Sequence, residues 1–272
     1  MVSFNGGKQK MTILDKIVTN KKKEVAAAKN RTSYVQLEES ELFNRECYLL
    51  KDFLLLPERT GIIAEFKRKS PSKGIINDKV SAEAVTSGYA AAGASALSVL
   101  TDRDFFMGNK ADLIAARRAN TIPILRKDFM IDEYQVIEAR SWGADIILLI
   151  AAILTPSEIQ NLASLAKSLG LSVLLEVHNL EELERSINPN LDAIGVNNRN
   201  LADFTVSVET SYKLAPYIPL EFLKVSESAI SNPETIKQLK QAGFNGFLIG
   251  ENFMKQQDPA KAMEEFVTEL NR

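Results

Sequence analysis

Glu65 and Lys67 stand two positions apart at the end of an apolar run, in the segment IIAEFKRKSPSKG at positions 62–74. An apolar run that turns abruptly to charged residues is typical of a buried strand whose end reaches solvent. Residues two apart on a strand lie on the same face, so this carboxylate and this ammonium group are predicted to be neighbours. The pair is either a stabilising ion pair or an acid–base pair, and the segment alone leaves both possibilities open.

Polar residues also close the later apolar runs. These are Lys127 in PILRK, Glu176 in LLEVH, Asn197 and Arg199 in IGVNNRN, Ser226 and Ser228 in VSES, and Gly250 in LIGEN. Any one of them could be structural, but a buried Lys–Glu cluster shifts pKa values in the way that acid–base chemistry near neutral pH requires. We therefore expect these side chains to meet at one site.

The elements that must position these residues alternate between strand and helix. Eight apolar strands are predicted, at 62–66, 96–100, 122–127, 145–150, 172–177, 193–197, 223–226 and 247–250. Four of the helices between them end on a glycine, namely Gly93, Gly143, Gly170 and Gly243. Near-continuous apolar strands with helices between them indicate a parallel sheet that is covered on both faces.

Eight such units favour an α/β fold with a single (β/α)8 TIM barrel, whose active site lies at the carboxyl ends of the strands. A doubly wound sheet is the alternative, but it would carry a Gly-rich phosphate loop after an early strand, and none is found.

The segment before the first strand is predicted to be a helical extension at 11–60, and the barrel then covers 61–272. Thr12 can cap the first helix, and the second is predicted over about 34–55, where Pro57 ends it. The lysines at 21–23 are assigned to a solvated helix face. Residues 1–10 are polar and patternless, and we interpret them as a disordered leader or a tag.

Composition narrows the function. The 272 residues carry a formal net charge of −2, which argues against a broad nucleic-acid surface. One cysteine and one histidine exclude an internal disulfide and most zinc or Ser–His–Asp sites. No run approaches the ~20 apolar residues of a membrane span, and no signal peptide is evident, so we expect a cytoplasmic protein.

The loops after the last two strands, at 228–230 and 250–252, are predicted to hold a phosphate, because barrels often bind phosphate there through backbone N–H groups. The side chain of Glu251 is expected to point away from the anion. Phe106 and Phe129 lie just beyond the second and third strands and would line a pocket for an aromatic substrate. His178 is interpreted as a loop residue with no chemical role.

Several of these segments together resemble the indole-3-glycerol phosphate synthase family of tryptophan biosynthesis. The matching motifs occur in chain order as IAEFKRKSPSKG, LSVLTD, ILRKDF, GADIILLI, LLEVH, IGVNNRNL, VSES and FLIGE. The resemblance extends from about Met11 to the end of the chain. It implies a lyase that closes 1-(2-carboxyphenylamino)-1-deoxyribulose 5-phosphate to indole-3-glycerol phosphate with loss of carbon dioxide and water. It further implies no metal or organic cofactor, a phosphorylated small molecule as the partner, and a monomer.

The resemblance also implies roles for the strand-end residues. Lys127 matches the general acid that protonates the ribulose carbonyl, and Glu176 matches the general base. Lys67 would assist, either at the substrate carboxylate or as the acid of the dehydration step. The other implied residues are Glu65 and Asn197 for positioning, Arg199, Ser228, Ser72, Phe106 and Phe129 for substrate contacts, and Ser228, Ala229, Gly250, Glu251 and Asn252 for phosphate.

Two other functions stay open at this point. One is a different phosphate-binding barrel enzyme, such as an aldolase that forms a Schiff base on Lys127, and the other is a non-catalytic barrel that binds a phosphorylated ligand. The chain departs from the family at Ala229, where the family usually has glycine. If this residue must adopt a positive φ, alanine is strained there, and we expect weaker phosphate binding.

Overall fold

Eight parallel strands close into a barrel, in which each strand pairs with the strands before and after it in the chain. The computed structural model describes residues 11–200 and 204–272, so the predicted leader at 1–10 lies outside the described residues. The strands are β1 (Ile62–Phe66), β2 (Ala96–Leu100), β3 (Ile124–Lys127), β4 (Ile146–Ile150), β5 (Ser172–Val177), β6 (Ala193–Asn197), β7 (Leu223–Glu227) and β8 (Gly246–Ile249). The closed barrel confirms the predicted fold and excludes the doubly wound sheet.

Helices surround the barrel and precede it. They are α1 (Ile13–Arg31), α2 (Tyr34–Glu38), α3 (Leu50–Leu54), α4 (Ala82–Ala91), α5 (Lys110–Ala119), α6 (Glu133–Ser141), α7 (Pro156–Ser168), α8 (Leu180–Ser186), α9 (Glu209–Leu214), α10 (Pro233–Gln241), α11 (Glu251–Met254) and α12 (Pro259–Leu270). A short hairpin pairs Lys69–Ser70 with Gly74–Ile75 just beyond β1. None of the helices in the described ranges has the length and apolar character needed to cross a bilayer.

Alternation along each strand sorts its side chains between two apolar layers. In β1, Ile62, Ala64 and Phe66 pack in the layer between the barrel and its helices, whereas Ile63 packs in the barrel interior. Glu65 shares the inward face of Ile63, because side chains two apart point the same way. The polar residues at the strand ends therefore stand directly above an apolar interior.

The predicted single helix at 34–55 is wrong, because the structure has two short helices, α2 and α3, with turns between them. The intervening segment is held by side-chain bonds to the start of β4 rather than by helical bonds. Arg45 Nη2 lies 2.7 Å from Asp145 Oδ1, and the Tyr48 backbone N–H donates to the same oxygen at 2.8 Å. These long-range bonds fix the segment in turns in place of a helix.

Helix α3 fills the amino-terminal end of the barrel. Leu50 and Leu54 are buried in the interior cluster with Ala96, Ala193 and Leu223, which are the first residues of their strands. The helix thereby closes the end of the barrel opposite the strand-end polar residues.

Helix α1 lies at the carboxyl ends of the strands and is fixed there by Lys21. The Lys21 Nζ atom is 2.9 Å from Asp102 Oδ2, 2.8 Å from Asp128 Oδ1 and 2.6 Å from Glu24 Oε2. Its assignment to a solvated face is wrong, because only 3% of this side chain is exposed. Burial by itself would lower the pKa of Lys21, but the carboxylates of Asp128 and Asp102 outweigh burial and raise it.

We expect Lys21→Met to lower the free energy of unfolding by about 3–5 kcal/mol, because it leaves the two buried carboxylates of Asp102 and Asp128 without their shared cation. Urea unfolding measures this. Lys23→Met, on the exposed face of the same helix, is the matched control and should change stability by less than about 0.5 kcal/mol. Equal effects of the two substitutions would contradict the stabilising role of the ion pairs that Lys21 makes with Asp102 and Asp128.

Candidate active site

Lys127 stands at the centre of the polar layer above the barrel interior. Its Nζ atom is 3.0 Å from Glu176 Oε2 and 2.6 Å from Glu227 Oε2. Beside this group, Lys67 Nζ lies 2.7 Å from Glu65 Oε1. The structure therefore brings together the two lysines and two glutamates that the sequence analysis singled out, and it adds a third carboxyl group, that of Glu227.

The three central groups influence each other's ionisation. Burial would lower the pKa of Lys127, but Glu227 and Glu176 outweigh burial and raise it, so the side chain is an ammonium group. Burial would raise the pKa of Glu176, but Lys127, His178 and a hydrogen bond from Asn197 lower it on balance. Burial raises the pKa of Glu227, the charge of Glu176 adds to this increase, and the attraction to Lys127 does not cancel it.

Sequence reasoning missed Glu227 because it ended the seventh strand at Ser226 and predicted that residue at the site. The strand continues to Glu227, and Ser226 instead faces outward, where its Oγ atom is 2.8 Å from Ser211 Oγ. Leu223 and Val225 pack in the barrel interior, so Glu227 is the next residue on the inward face of β7. This two-residue alternation of apolar side chains could have identified Glu227 from the sequence.

Gly195 provides the space for the Glu227 carboxyl group. A Cβ atom on Gly195 would collide with Glu227 Oε1. Gly250 plays the same part for Glu65, because a Cβ atom there would lie 2.6 Å from Glu65 Oε1. The glycine at position 250 is thus required by a close approach to a carboxylate, and its φ of −129° needs no glycine.

Asn197 connects three strands at this level. Its Nδ2 atom donates to Glu176 Oε1 at 3.1 Å, and its Oδ1 atom accepts bonds from Ser228 Oγ and the Arg199 backbone N–H, both at 3.0 Å. Ser228 reaches the site because it leaves β7 with a φ of +66°. The amide therefore holds one oxygen of Glu176 in place.

A cavity of about 150 Å³ lies over these groups. Its apolar walls come from the amino-terminal turns of α1 and from Phe106 and Phe129, whose ring centroids are 6.0 Å apart. Lys67, Arg199 and Ser72 also line it. Phe106 and Phe129 thus line one cavity, and α1 supplies an additional wall of Ile13, Leu14 and Ile17 that the sequence reasoning did not anticipate.

A second cavity of about 350 Å³ adjoins the first and shares Lys67, Arg199 and Glu251 with it. The loops predicted to hold phosphate line this cavity, through Ser228, Ala229, Gly250, Glu251 and Asn252. Ala229 has a φ of +61°, which is the strained case considered from the sequence. Ser228 and Ala229 are consecutive residues with positive φ values, and both line this cavity.

The expectation that Glu251 points away from this region is wrong. Its carboxylate lies at the boundary of the two cavities, with Oε2 3.5 Å from Arg199 Nη2 and Oε1 3.7 Å from Lys73 Nζ. These two cations come from the segments that follow β6 and β1.

His178, to which the sequence analysis assigned no chemical role, is buried next to Glu176. Its Nε2 atom is 3.4 Å from Glu176 Oε1. Among the residues that the structure describes, no group of three or more His, Cys, Asp or Glu side chains is arranged to hold a metal ion.

A family model described as indole-3-glycerol phosphate synthase matches residues 14–266. The chain belongs to this family. It is 49% identical over 255 residues to the indole-3-glycerol phosphate synthase of Bacteroides thetaiotaomicron, covering 94% of this chain and 97% of the relative. It is 43% identical over 258 residues to the enzyme of the same name from Laribacter hongkongensis, covering 92% and 97%.

Solved structures with names other than indole-3-glycerol phosphate synthase share the barrel. A 3-hexulose-6-phosphate synthase from Salmonella typhimurium superposes with a TM-score of 0.61 at 12% identity, covering 78% of this chain and 99% of that chain. A chain of the tryptophan synthase complex from Pyrococcus furiosus gives 0.56 at 15% identity, covering 78% and 97%. At these identities the likeness concerns the fold alone.

We expect Ala229→Gly to raise the free energy of unfolding by roughly 0.5–1 kcal/mol, because glycine adopts a positive φ without the strain that a Cβ atom causes. Urea unfolding measures the change. Ala92→Gly is the matched control, since Ala92 is also partly buried but has a φ of −75°. The control should lose stability, and a loss in both variants would contradict the strain at Ala229.

Proposed function

We propose that this protein is an indole-3-glycerol phosphate synthase that uses Lys127 as its general acid and Glu176 as its general base. The observation that carries the proposal is the Lys127 ammonium group, held between two carboxyl groups at the floor of a cavity with an aromatic wall. Membership of the family supports the overall reaction. The substrate is 1-(2-carboxyphenylamino)-1-deoxyribulose 5-phosphate, a phosphorylated small molecule.

The two adjoining cavities match the two ends of this substrate. The carboxyphenyl ring fits between Phe106, Phe129 and the apolar turns of α1, with Arg199 and Lys67 near its carboxylate and Ser72 at the rim. The phosphate fits the second cavity, against Ser228 and the backbone at 229 and 250–252. The carbonyl carbon of the ribulose chain then lies near Lys127.

Ring closure begins when the ring carbon that bears the carboxylate attacks the ribulose carbonyl carbon. Negative charge develops on the carbonyl oxygen, and the Lys127 ammonium group stabilises and protonates it. The iminium group formed on closure then accepts the electron pair released as the carboxylate leaves as carbon dioxide. Glu65 and Asn197 position Lys67 and Glu176 for these steps.

Dehydration completes the indole. Glu176 removes a proton from the carbon next to nitrogen, and the hydroxyl group leaves as water after it gains a second proton, for which Lys67 is the candidate acid. The oxygen gains two protons and the substrate loses one, so each turnover takes up one proton from solvent.

The same geometry disfavours a Schiff-base aldolase. A Schiff base needs an uncharged amine, which enzymes obtain by lowering the lysine pKa. Glu227 and Glu176 do the opposite to Lys127, because after the opposing effect of burial they raise its pKa. The charged form suits an acid and not a nucleophile.

We also propose that the protein acts in the cytoplasm as a monomer, without a metal or organic cofactor, and with residues 61–272 as the catalytic barrel behind the extension at 11–60. The proposed partner is the small phosphorylated substrate, with neither nucleic acid nor membrane as a further partner, and the net charge of −2 supports the first of these exclusions.

We expect Lys127→Met to lower kcat by roughly 10²–10³, the usual effect of removing one oxyanion-stabilising group. The assay supplies the substrate with a chelator present and follows indole fluorescence. Lys167→Met is the matched control, because Lys167 pairs with Asp192 outside both cavities and should leave kcat unchanged. Undiminished turnover in Lys127→Met, or a borohydride-trapped adduct on Lys127 in the native protein, would refute the assignment.

We expect Ala229→Gly to lower the substrate KM about two- to fivefold with little change in kcat, since relief of roughly 0.5–1 kcal/mol of strain would favour the phosphate-binding conformation. Steady-state kinetics of the purified variant measures this. A KM equal to that of the native protein would remove the link between Ala229 and phosphate binding.

A further inference from the structure

His178 lies between two carboxylates at the end of β5. Its Nε2 atom is 3.4 Å from Glu176 Oε1, and its Nδ1 atom is 3.1 Å from Glu182 Oε2 in α8. Only 11% of the side chain is exposed, on the edge of a cavity that Glu182 also lines. The ring therefore connects the buried base of the proposed reaction to a second carboxylate nearer the surface.

Glu182 is fixed as a hydrogen-bond acceptor. Its Oε2 atom accepts the His178 backbone N–H at 2.8 Å, and its Oε1 atom accepts Asn179 Nδ2 at 3.1 Å. Burial would raise the pKa of Glu182, but the hydrogen bonds from His178 outweigh it, so the pKa is lowered and the group is ionised. An ionised carboxylate can only accept a hydrogen bond, so His178 Nδ1 carries a proton.

The other nitrogen then decides the charge of the ring. Nε2 is buried and makes no well-aligned hydrogen bond to any other described residue, and Glu176 Oε1 is beside it. A neutral ring would turn its Nε2 lone pair toward the lone pairs of an ionised carboxylate, which is repulsive. A proton on Nε2 removes this repulsion and makes the ring an imidazolium.

The surrounding charges favour the same state. Burial would lower the pKa of His178, but Glu182, Glu176 and Glu227 outweigh it and raise the pKa. The cations nearby act on the carboxylates rather than on the ring, since Lys127 pairs with the other oxygen of Glu176 and Arg185 acts on Glu182.

We propose that His178 is a positioning residue for the reaction, which as an imidazolium holds the Oε1 side of Glu176 and keeps this carboxylate ionised for proton abstraction. The inference rests on the proposed role of Glu176 as the base. Glu176 is then held by Lys127 from β3, Asn197 from β6 and His178 at the end of its own strand. Glu182 anchors the ring from the outer side.

The first test uses the fact that the sequence contains one histidine, so its NMR signal needs no assignment. In the native protein, the ring Cε1–H signal should titrate with a midpoint above 6.5, and ¹⁵N shifts should show both nitrogens protonated below it. Glu176→Gln should lower the midpoint by at least half a unit. Glu181→Gln, which neutralises an exposed neighbouring carboxylate, should leave it unchanged. An identical midpoint in native protein and Glu176→Gln would overturn the proposal.

The second test is kinetic and does not depend on the folding of Glu176→Gln. His178→Asn keeps a donor for Glu182 but is too short to reach Glu176, so the pKa of Glu176 should rise. The acid limb of the kcat–pH profile should therefore move up by about one unit, with KM within twofold of the native value. His178→Gln, whose longer amide can reach Glu176, should move the acid limb part of the way back toward its native position. A uniform loss of kcat with an unmoved acid limb would indicate a structural role only and would overturn the proposal.

The two hypotheses fail separately. Undiminished turnover in Glu176→Gln removes Glu176 as the base, whereas the histidine titration reports the contact between His178 and Glu176 whatever the reaction is.

Discussion

The ammonium group of Lys127 is the interaction on which the upper part of the barrel depends. It lies between carboxyl groups that come from β5 and β7, which are separated in the barrel by β6, and it is within 3.0 Å of both. Without this cation, two carboxyl groups would be buried together without the charge that most directly offsets their repulsion and desolvation. The same cation is what a developing alkoxide requires, so the group that stabilises the site is also the acid that we propose.

The fold accommodates this polar layer through residues with no chemistry of their own. Gly195 and Gly250 lack the Cβ atoms that would displace the carboxyl groups of Glu227 and Glu65. Asn197 is bonded to Glu176, Ser228 and the backbone of the β6 loop at once. The carboxylates are thereby fixed from the sides, which limits the reorganisation needed during a reaction.

Alternation along the strands explains why much of the site could be predicted from the sequence. Glu65, Lys127 and Glu176 each follow an inward apolar neighbour two residues before, and Asn197 shares the parity of the inward Ala193. Period-two patterns of this kind are local. Glu227 was missed because one residue was omitted from the end of its strand, which changes the assigned face. Strand ends are where single-sequence patterns carry the least information.

Contacts between distant segments account for the other errors. Lys21 belongs to a run of three lysines, a pattern typical of a solvent-exposed helix face. Only its ion pairs with Asp102 and Asp128 place it in the interior. Residues 39–49 were assigned to a helix, but Asp145, about a hundred positions later, holds them in turns. The Glu251 carboxylate likewise lies near Arg199 and Lys73, which are close to it only in the folded chain.

Helix α3, which fills the amino-terminal end of the barrel, affects how substrate enters and how products leave. Because Leu50 and Leu54 fill the amino-terminal end of the barrel, the interior opens toward solvent at the carboxyl ends of the strands. Helix α1 forms one wall of this opening. On the proposed mechanism, carbon dioxide leaves through the same opening that admits the substrate and releases the indole product. Because decarboxylation precedes dehydration, the larger intermediate is still bound at that moment, so this opening must stay passable to a small gas molecule while the site is occupied.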